Sequence, residues 1–125
     1  MENPMLPLAA LNPLFDILAA SRQVYPDLTV AQLQVFLLVA IDPGISQAQI
    51  EEKTGLRGGS VSRIVALLSQ YGARDKEGLN LINVSQDPND RRARLIEITP
   101  KGTQFIHQMM SLLSYVRGAK DVSPA

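Results

Sequence analysis

Apolar residues in the first 41 positions recur every three or four residues, which predicts two helices. The first covers 12–25, with Asn12 as its N-cap and Pro13 at the first helical position, where a missing N–H costs nothing. The second covers 30–41 and is capped by Thr29. Because that segment is apolar on most sides, we expect its helix to lie at the centre of the fold.

Two further helices follow, with a sharp break between them. Ser46 and Gln49 have the spacing of a capping box, and Gly55 is typical of a helix end. The next helix is predicted to run from Ser60 to Gly72, which closes it. Its buried stripe is predicted to consist of Val61, Ile64, Val65, Leu67 and Leu68.

The spacing then changes to that of strands. Segments 79–85 and 92–99 are short and rich in Leu, Ile and Val, and the residues between them favour a turn, so the pair predicts a β-hairpin. Thr99 and Pro100 start a last helix over 100–117. The apolar stripe of that helix consists of Phe105, Ile106, Met109, Leu112, Leu113 and Val116.

Four helices, two strands and one helix, in this order, indicate a winged helix-turn-helix, a mainly α fold with a small β-hairpin (α+β). A chain of 125 residues, 46% of them hydrophobic, suits one domain with its own core. We expect this single domain over 1–118. Its parts would be flanking dimerisation helices (12–25 and 100–117), a helix-turn-helix (46–72) and a wing (79–99), with a flexible tail (119–125) after them.

The composition excludes several classes of protein. The absence of cysteine excludes disulfides and thiol sensors, and the single histidine, His107, leaves little for a transition-metal site. We find no nucleophile–base pair and no phosphate-cradling loop, so neither an enzyme nor a cofactor is predicted. The chain has no run of about 18 apolar residues, and its start lacks the basic cluster of a signal peptide. We therefore expect a cytoplasmic protein that does not span a membrane.

The net charge is zero, but the charges are unevenly distributed. Residues 1–52 hold one basic and six acidic residues, a net charge of −5, whereas residues 53–101 hold nine basic and five acidic residues, a net charge of +4. Such a chain can present a basic face while it stays neutral as a whole. The alternative is a chance fluctuation of charge along the sequence.

The segment around Gly55 has the pattern of a helix-turn-helix. Positions at the required offsets before and after the turn glycine are apolar: Ile50, Leu56, Val61 and Ile64. Two positions depart from the usual pattern, since Glu51 stands where a small residue is common and Thr54 where an apolar one is. The packing of the first helix is therefore less well determined by the sequence.

In such a unit the second helix enters the DNA major groove, and its N-terminal residues meet base edges. The residues predicted to lie there are Gly58, Gly59, Ser60, Ser62 and Arg63. Arg63 can donate two hydrogen bonds to guanine, and Arg57, in the turn, suits a phosphate. The alternatives are that Ser60 only caps the helix and that Arg63 is a solvated side chain.

Two stretches, "TGLRGGSVSRIVALLSQYG" and "DPNDRRARLIEITPKG", resemble the MarR family of winged-helix regulators. The first is similar to that family's recognition helix, and the second, more specific match is similar to its wing and the start of the next helix. The resemblance covers roughly residues 46–102, and the order of helices extends it to most of the chain.

The resemblance implies a homodimer that binds double-stranded DNA, with a wing arginine in the minor groove. Matched onto this wing, that arginine is Arg92, and Asp90 is the acid that holds the wing in shape. Arg91 and Arg94 would be neighbouring contacts to the DNA backbone. The alternative is an ion pair within the wing, which contributes about 0–1 kcal/mol at a surface.

Two departures from the family concern length. The link into the wing, residues 73–84, is longer than usual, so the hairpin is extended or differs in register. The terminal helices are short, and we expect the dimer to form through their apolar stripes. No residue marks a pocket for a small-molecule effector, so the sequence does not predict one.

Three functions are compatible with this sequence. The first is a sequence-specific, MarR-like regulator of transcription, acting as a repressor on duplex DNA. The second is a winged helix redeployed for single-stranded DNA or protein binding, as in a replication or transcription accessory factor. Single-strand binding usually relies on aromatic side chains that stack on bases, and this chain has few, so the composition does not favour this second function. The third is an oligomerisation domain, for which the basic wing has no use.

Overall fold

Five helices and one antiparallel hairpin follow one another in the computed structural model, which describes residues 8–70 and 77–121. The side chains of Arg91, Arg92 and residues 114–121 lie outside this description. A short 3-10 turn, Leu8–Leu11, leads into α1. The elements are α1 (Asn12–Val24), α2 (Val30–Ile41), α3 (Gln47–Thr54), α4 (Gly58–Leu68), β1 (Ile82–Asp87), β2 (Asp90–Ile98) and α5 (Pro100–Asp121).

The order of elements confirms the predicted winged helix-turn-helix, and both predicted capping residues of the central helices are confirmed. Thr29 Oγ1 accepts a hydrogen bond from the backbone N–H of Gln32 at 3.1 Å, and Gln32 Oε1 accepts one from the N–H of Thr29 at 2.8 Å. Ser46 and Gln49 form the same reciprocal pair at the start of α3. Each pair satisfies two amide groups that the helix itself cannot.

Replacing Thr29 with alanine should therefore lower the free energy of unfolding by about 1 kcal/mol, the usual contribution of a lost N-cap. Urea denaturation measures this change. The control is Ser111→Ala, which removes an exposed hydroxyl from the interior of α5 and should change stability by less than about 0.5 kcal/mol. Equal midpoints for Thr29→Ala and the wild type would contradict the prediction.

Three predicted helix boundaries are wrong. Leu11, the last residue of the 3-10 turn, is the N-cap of α1, so Asn12 is already helical and makes no cap hydrogen bond. The helix α4 begins at Gly58, two residues before Ser60, because the tight turn after α3 places Arg57 in the extended conformation of an N-cap. At the other end of the chain, α5 continues to Asp121, beyond the predicted end at residue 117 and into the predicted tail.

The segment after α4 differs from its prediction because it bonds to that helix before it becomes a strand. The N–H groups of Leu79 and Leu81 donate to the carbonyls of Leu67 and Leu68 at 2.8 and 2.7 Å. These carbonyls lie at the C-terminus of α4, where the helix leaves them without internal partners. The strand β1 therefore begins only at Ile82. Gly72, the predicted end of the fourth helix, lies outside the described residues.

The core lies between α2, α4, α5 and the base of the hairpin. Phe36 of α2 and Phe105 of α5 stack with ring centroids 5.3 Å apart. The other fully buried large side chains are Val35, Val39, Ile45, Ile50, Val61, Leu68, Leu81, Ile82 and Ile96. Four of the five residues of the predicted α4 stripe are buried, and Leu67 is half-buried.

The hairpin is fixed to the helices on two sides. Ile45, in the loop between α2 and α3, bridges Ile96 of β2, and the N–H of Ile96 donates to the carbonyl of Ile45 at 3.2 Å. On the other side, the N–H of Thr99 donates to the carbonyl of Leu81 at 3.0 Å, just before α5 begins. The first bond holds the hairpin against the loop that leads into α3, and the second closes the base of the hairpin where α5 begins.

Apart from Val30 and Ile41 at the two ends of α2, the exposed large apolar side chains of the described residues belong to two regions of the chain. In and before α1 these are Leu8, Leu11, Leu14, Phe15 and Leu18, and in α5 they are Met110 and Leu113. Phe15 is 72% exposed, which is unusual for a large aromatic side chain. Because α1 packs against α5, the two sets belong to one end of the fold. We call them the terminal apolar face.

Candidate nucleic-acid interface

The helices α3 and α4 are joined by a three-residue turn whose geometry follows from Gly55. This residue has φ of +78°, a left-handed conformation that glycine adopts without strain, and its N–H bonds the carbonyl of Glu51. Ile50 and Val61 are fully buried on the two sides of the turn, and Ile64 is nearly so. Leu56, in the turn, is half-buried. The apolar offsets predicted for a helix-turn-helix are confirmed.

The polar residue at position 54 is accommodated by local hydrogen bonds. Thr54 Oγ1 donates to the carbonyl of Ile50 at 2.6 Å and accepts from the N–H of Leu56 at 3.2 Å. The hydroxyl therefore satisfies a backbone donor in the turn, as well as its own hydrogen. An apolar side chain would leave that amide without this partner.

Glu51, the other departure from the usual pattern, fits because its neighbour in α4 is a glycine. A Cβ atom on Gly58 would lie 3.1 Å from Glu51 Oε2 and 3.4 Å from its Cδ, closer than ordinary contact. The half-buried carboxylate thus occupies the space of a missing side chain at the start of α4. This contact could not be predicted from the sequence, because it depends on how α3 and α4 cross.

Gln47, which the sequence analysis missed, connects α3 to α4. Its Nε2 donates to Ser62 Oγ at 2.9 Å and, over 3.3 Å each, to the carbonyl of Gly58 and to Glu51 Oε2. The carbonyl and the carboxylate can only accept, so the orientation of the Gln47 amide is determined by its partners. A glutamine in a first helical turn has no distinctive spacing, and nothing in the sequence alone marked it.

The residues predicted for the second helix lie on its surface. Gly59, Ser62 and Arg63 of α4 are exposed and Ser60 is half-buried, while Arg57 is exposed just before the helix. Arg63 lies one turn beyond Gly59, where a Cβ atom would be 3.9 Å from Arg63 Nη1. Glycine at this position thus leaves open space beside the guanidinium group.

The hairpin, which we call the wing, turns through Pro88 and Asn89. The N–H of Asn89 donates to Asp87 Oδ1 at 2.8 Å, so Asp87 supports the turn, a role the sequence analysis did not assign to it. Asp90 lies opposite Asp87 in the register and is exposed, as is Arg94 farther along β2. Arg91 and Arg92 belong to β2, but their side chains lie outside the described part of the structure.

An open cleft of about 710 Å³ lies between the N-terminus of α3, one side of α4 and the wing. Its lining consists of Ser46, Gln47, Ala48, Ser62, Val65, Ala66, Ser69, Val84, Ala93, Arg94 and Ile96. Among these described lining residues none is acidic, and Arg94 is the charged one. The cleft therefore brings Ser62 and Arg94, two of the predicted DNA-binding residues, to the same space.

Within the described ranges, 8–70 and 77–121, no group of three or more His, Cys, Asp or Glu side chains is placed to hold a metal ion. In the same residues, no helix has both the length and the apolarity required to cross a membrane. His107 is exposed on α5.

The sequence model of the MarR family matches residues 27–72, which comprise α2 and the helix-turn-helix. No curated protein matches the sequence. Among solved structures, the chain is similar to the crystal structure of MarR, with 25% identity and a TM-score of 0.56 over 91% of this chain and 80% of the other.

The similar structures that contain DNA include two mutant proteins. One is a mutant of MepR from S. aureus bound to an oligodeoxyribonucleotide, with 18% identity and a TM-score of 0.68 over 90% of this chain and 75% of that one. The other is a mutant of MarR from E. coli complexed with operator DNA, with 20% identity and a TM-score of 0.58 over 94% and 81% of the two chains. The chain therefore resembles the MarR family in the sequence of its helix-turn-helix and in its overall fold.

Proposed function

We propose that the chain is a sequence-specific regulator of transcription that binds double-stranded DNA as a homodimer and acts as a repressor. In this proposal, α4 enters the major groove and the wing reaches the adjacent minor groove. The observation that carries it is the cleft between α4 and the wing, whose described lining residues include no acid, with exposed cationic residues on both sides. The DNA complexes of MarR and MepR, which have this fold, support duplex DNA as the partner.

The proposed contacts of the helix-turn-helix, residues 46–72, follow from exposure and chemistry. Arg63 projects from the exposed side of α4 and can reach a guanine edge, which offers two acceptors. Arg57 precedes the helix and suits a phosphate. With the wing, 79–99, the proposed DNA-binding residues are Arg57, Gly59, Ser60, Ser62, Arg63, Arg91, Arg92 and Arg94.

The wing arginines suit a narrow minor groove, whose negative potential attracts guanidinium groups. We assign the groove contact to Arg92 and the flanking backbone contacts to Arg91 and Arg94. Asp90 is proposed to support Arg92 at the tip. The bond from Asn89 to Asp87 favours this arrangement, because a stiff turn lowers the entropy that the tip loses on binding.

The terminal apolar face supports the proposed dimer. Its side chains are exposed in the single chain, and the two helices that carry them pack against each other. Contiguous apolar patches on a soluble protein mark an interaction surface. A two-fold axis through this face would present one α4 from each protomer to successive turns of the duplex. We propose a cytoplasmic location for such a regulator.

The proposal is tested by fluorescence anisotropy with a random 30-base-pair duplex and the matching single strand. We expect a preference for the duplex, which Arg92→Ala should weaken by about 1–3 kcal/mol. The matched control is Arg22→Ala, which removes an exposed arginine from α1, outside the proposed interface, and should leave binding unchanged. A preference for the single strand that is indifferent to Arg92 would contradict the proposal and favour a redeployed module.

Arg63→Ala should act differently, because a base contact carries sequence information and a backbone contact does not. We expect the variant to lose discrimination at one base pair of a selected site, by about 1–3 kcal/mol, while it keeps most of its affinity for random duplex. Selection from a random library with the wild type and the variant measures this. An identical selected site for both proteins would exclude Arg63 as a base reader.

A further inference from the structure

Among the described helical hydroxyl groups, those of Ser60, Ser62 and Ser111 do not donate to a backbone carbonyl, and of these three only Ser62 accepts a side-chain hydrogen bond. Ser21, Thr54 and Thr103 each donate to the backbone carbonyl four residues earlier, at 2.9, 2.6 and 3.0 Å. This is the default partner of a hydroxyl inside a helix. Among the described residues, the Ser62 hydroxyl has no acceptor, although the carbonyl of Gly58 stands at that position.

Gln47 gives Ser62 a partner that Ser60 and Ser111 lack. Its Nε2 donates both to the carbonyl of Gly58 and to Ser62 Oγ, so it occupies the default partner and the oxygen at once. An oxygen that already accepts from Gln47 keeps its own hydrogen for another group. Since Ser62 is exposed and lines the cleft, that hydrogen is available to a ligand from outside.

We propose that Gln47 is a positioning residue that holds the Ser62 hydroxyl as a hydrogen-bond donor toward DNA. This inference rests on the proposed function, and it gives Ser62 a defined role in place of that of a tolerant reader. A fixed donor requires an acceptor, and duplex DNA offers two kinds: a non-bridging phosphate oxygen and a base-edge acceptor such as purine N7. Arg94 lines the same cleft, which favours the phosphate.

The role of Gln47 can be separated from a purely structural one by a double-mutant cycle. The proteins are the wild type, Gln47→Leu, Ser62→Ala and the double variant, each bound to the duplex selected by the wild type. Ser62→Ala should weaken binding about tenfold, as expected for a lost hydrogen bond to a charged acceptor. Gln47→Leu should weaken it by about threefold to tenfold, because Ser62 then bonds to the carbonyl of Gly58.

The decisive comparison is the effect of Gln47→Leu when Ser62 is already alanine. We expect no further loss there, because Gln47 acts through the hydroxyl. An equal loss in both backgrounds would show that Gln47 acts on the fold and would overturn the inference. Ser62→Thr keeps a hydroxyl and should keep its dependence on Gln47. The control Gln34→Leu makes the same substitution at an exposed position of α2 and should bind as the wild type does.

Modified duplexes then identify the acceptor. A methylphosphonate at one backbone position should weaken the wild type about tenfold and should not weaken Ser62→Ala further, which assigns the acceptor to a phosphate. The same pattern with a 7-deazapurine instead would support the fixed donor and assign the acceptor to a base edge. If neither modification distinguishes the wild type from Ser62→Ala, the inference is overturned. If the wild type binds the duplex and Ser62→Ala binds it equally well, this inference is overturned and the proposed function stands. If the wild type does not bind the duplex, the proposed function is overturned as well.

Discussion

Raising the salt concentration from 50 to 200 mM should weaken duplex binding by about a thousandfold or more. The proposed dimer makes roughly three to five phosphate contacts per protomer, and affinity falls with a slope of about −0.9 in log units for each contact. Ten such contacts would give a loss of about 10⁵ over the same range. Anisotropy titrations at four salt concentrations measure the slope.

This effect is expected in spite of a net charge of zero. Counterion release depends on the cationic groups that contact phosphates, and not on the net charge of the chain. The first 52 residues carry most of the excess acid, but the described residues that they contribute to the cleft between α4 and the wing are uncharged: Ser46, Gln47 and Ala48. Arg57→Ala should reduce the magnitude of the slope by about 1.8 in a dimer, since each protomer loses one contact. A slope near zero would contradict DNA binding through this face and favour a protein partner.

Gly102→Ala should destabilise the protein by about 3 kcal/mol, although alanine is the better helix former. Gly102 lies in the first turn of α5 and is buried, and a Cβ atom there would overlap the carbonyl oxygen of Leu81 and approach the ring of Phe36 to 3.2 Å. The obstacle is backbone, which no side-chain rotation relieves. That carbonyl also accepts the hydrogen bond from Thr99 that joins the wing to α5. Urea denaturation followed by circular dichroism measures the loss.

The matched control for this substitution is Gly59→Ala. Gly59 is helical and exposed, and a Cβ atom there would meet only Arg63 Nη1, at 3.9 Å. We expect stability to stay unchanged or to rise by up to about 1 kcal/mol, because alanine favours the helix. An unfolding midpoint of Gly102→Ala equal to that of the wild type would show that α5 can move away from Leu81 without cost.

Features determined by local sequence were predictable, and features determined by helix crossings were not. The caps at Thr29 and Ser46 depend on residues three positions apart, and the sequence predicts both. The start of α4 was misplaced because Ser60 is a favourable cap in isolation, whereas the tight turn after Gly55 decides the boundary. In the same way, Asn12 is not the N-cap of α1, because a 3-10 turn precedes the helix and its last residue, Leu11, takes that position.

The same division holds for the candidate site. The exposed arginine and serine positions of α4 follow from helical periodicity, so Ser62 and Arg63 were predictable. The bond from Gln47 to Ser62 joins residues 15 positions apart on two helices, and no spacing rule covers it. The fit of Glu51 against Gly58 depends on the same crossing.

The hydrogen bonds from Leu79 and Leu81 to the last carbonyls of α4 join the helix and the wing into one rigid unit. A protomer built in this way should open as a single cooperative unit, with the amides of Leu79 and Leu81 exchanging hydrogen at the rate of those in α4. The distance between the proposed major-groove and minor-groove contacts of one protomer would then be fixed. Tolerance for operators of different half-site spacing would have to come from the terminal apolar face, so substitutions there, and not in the wing, should change which spacing is preferred.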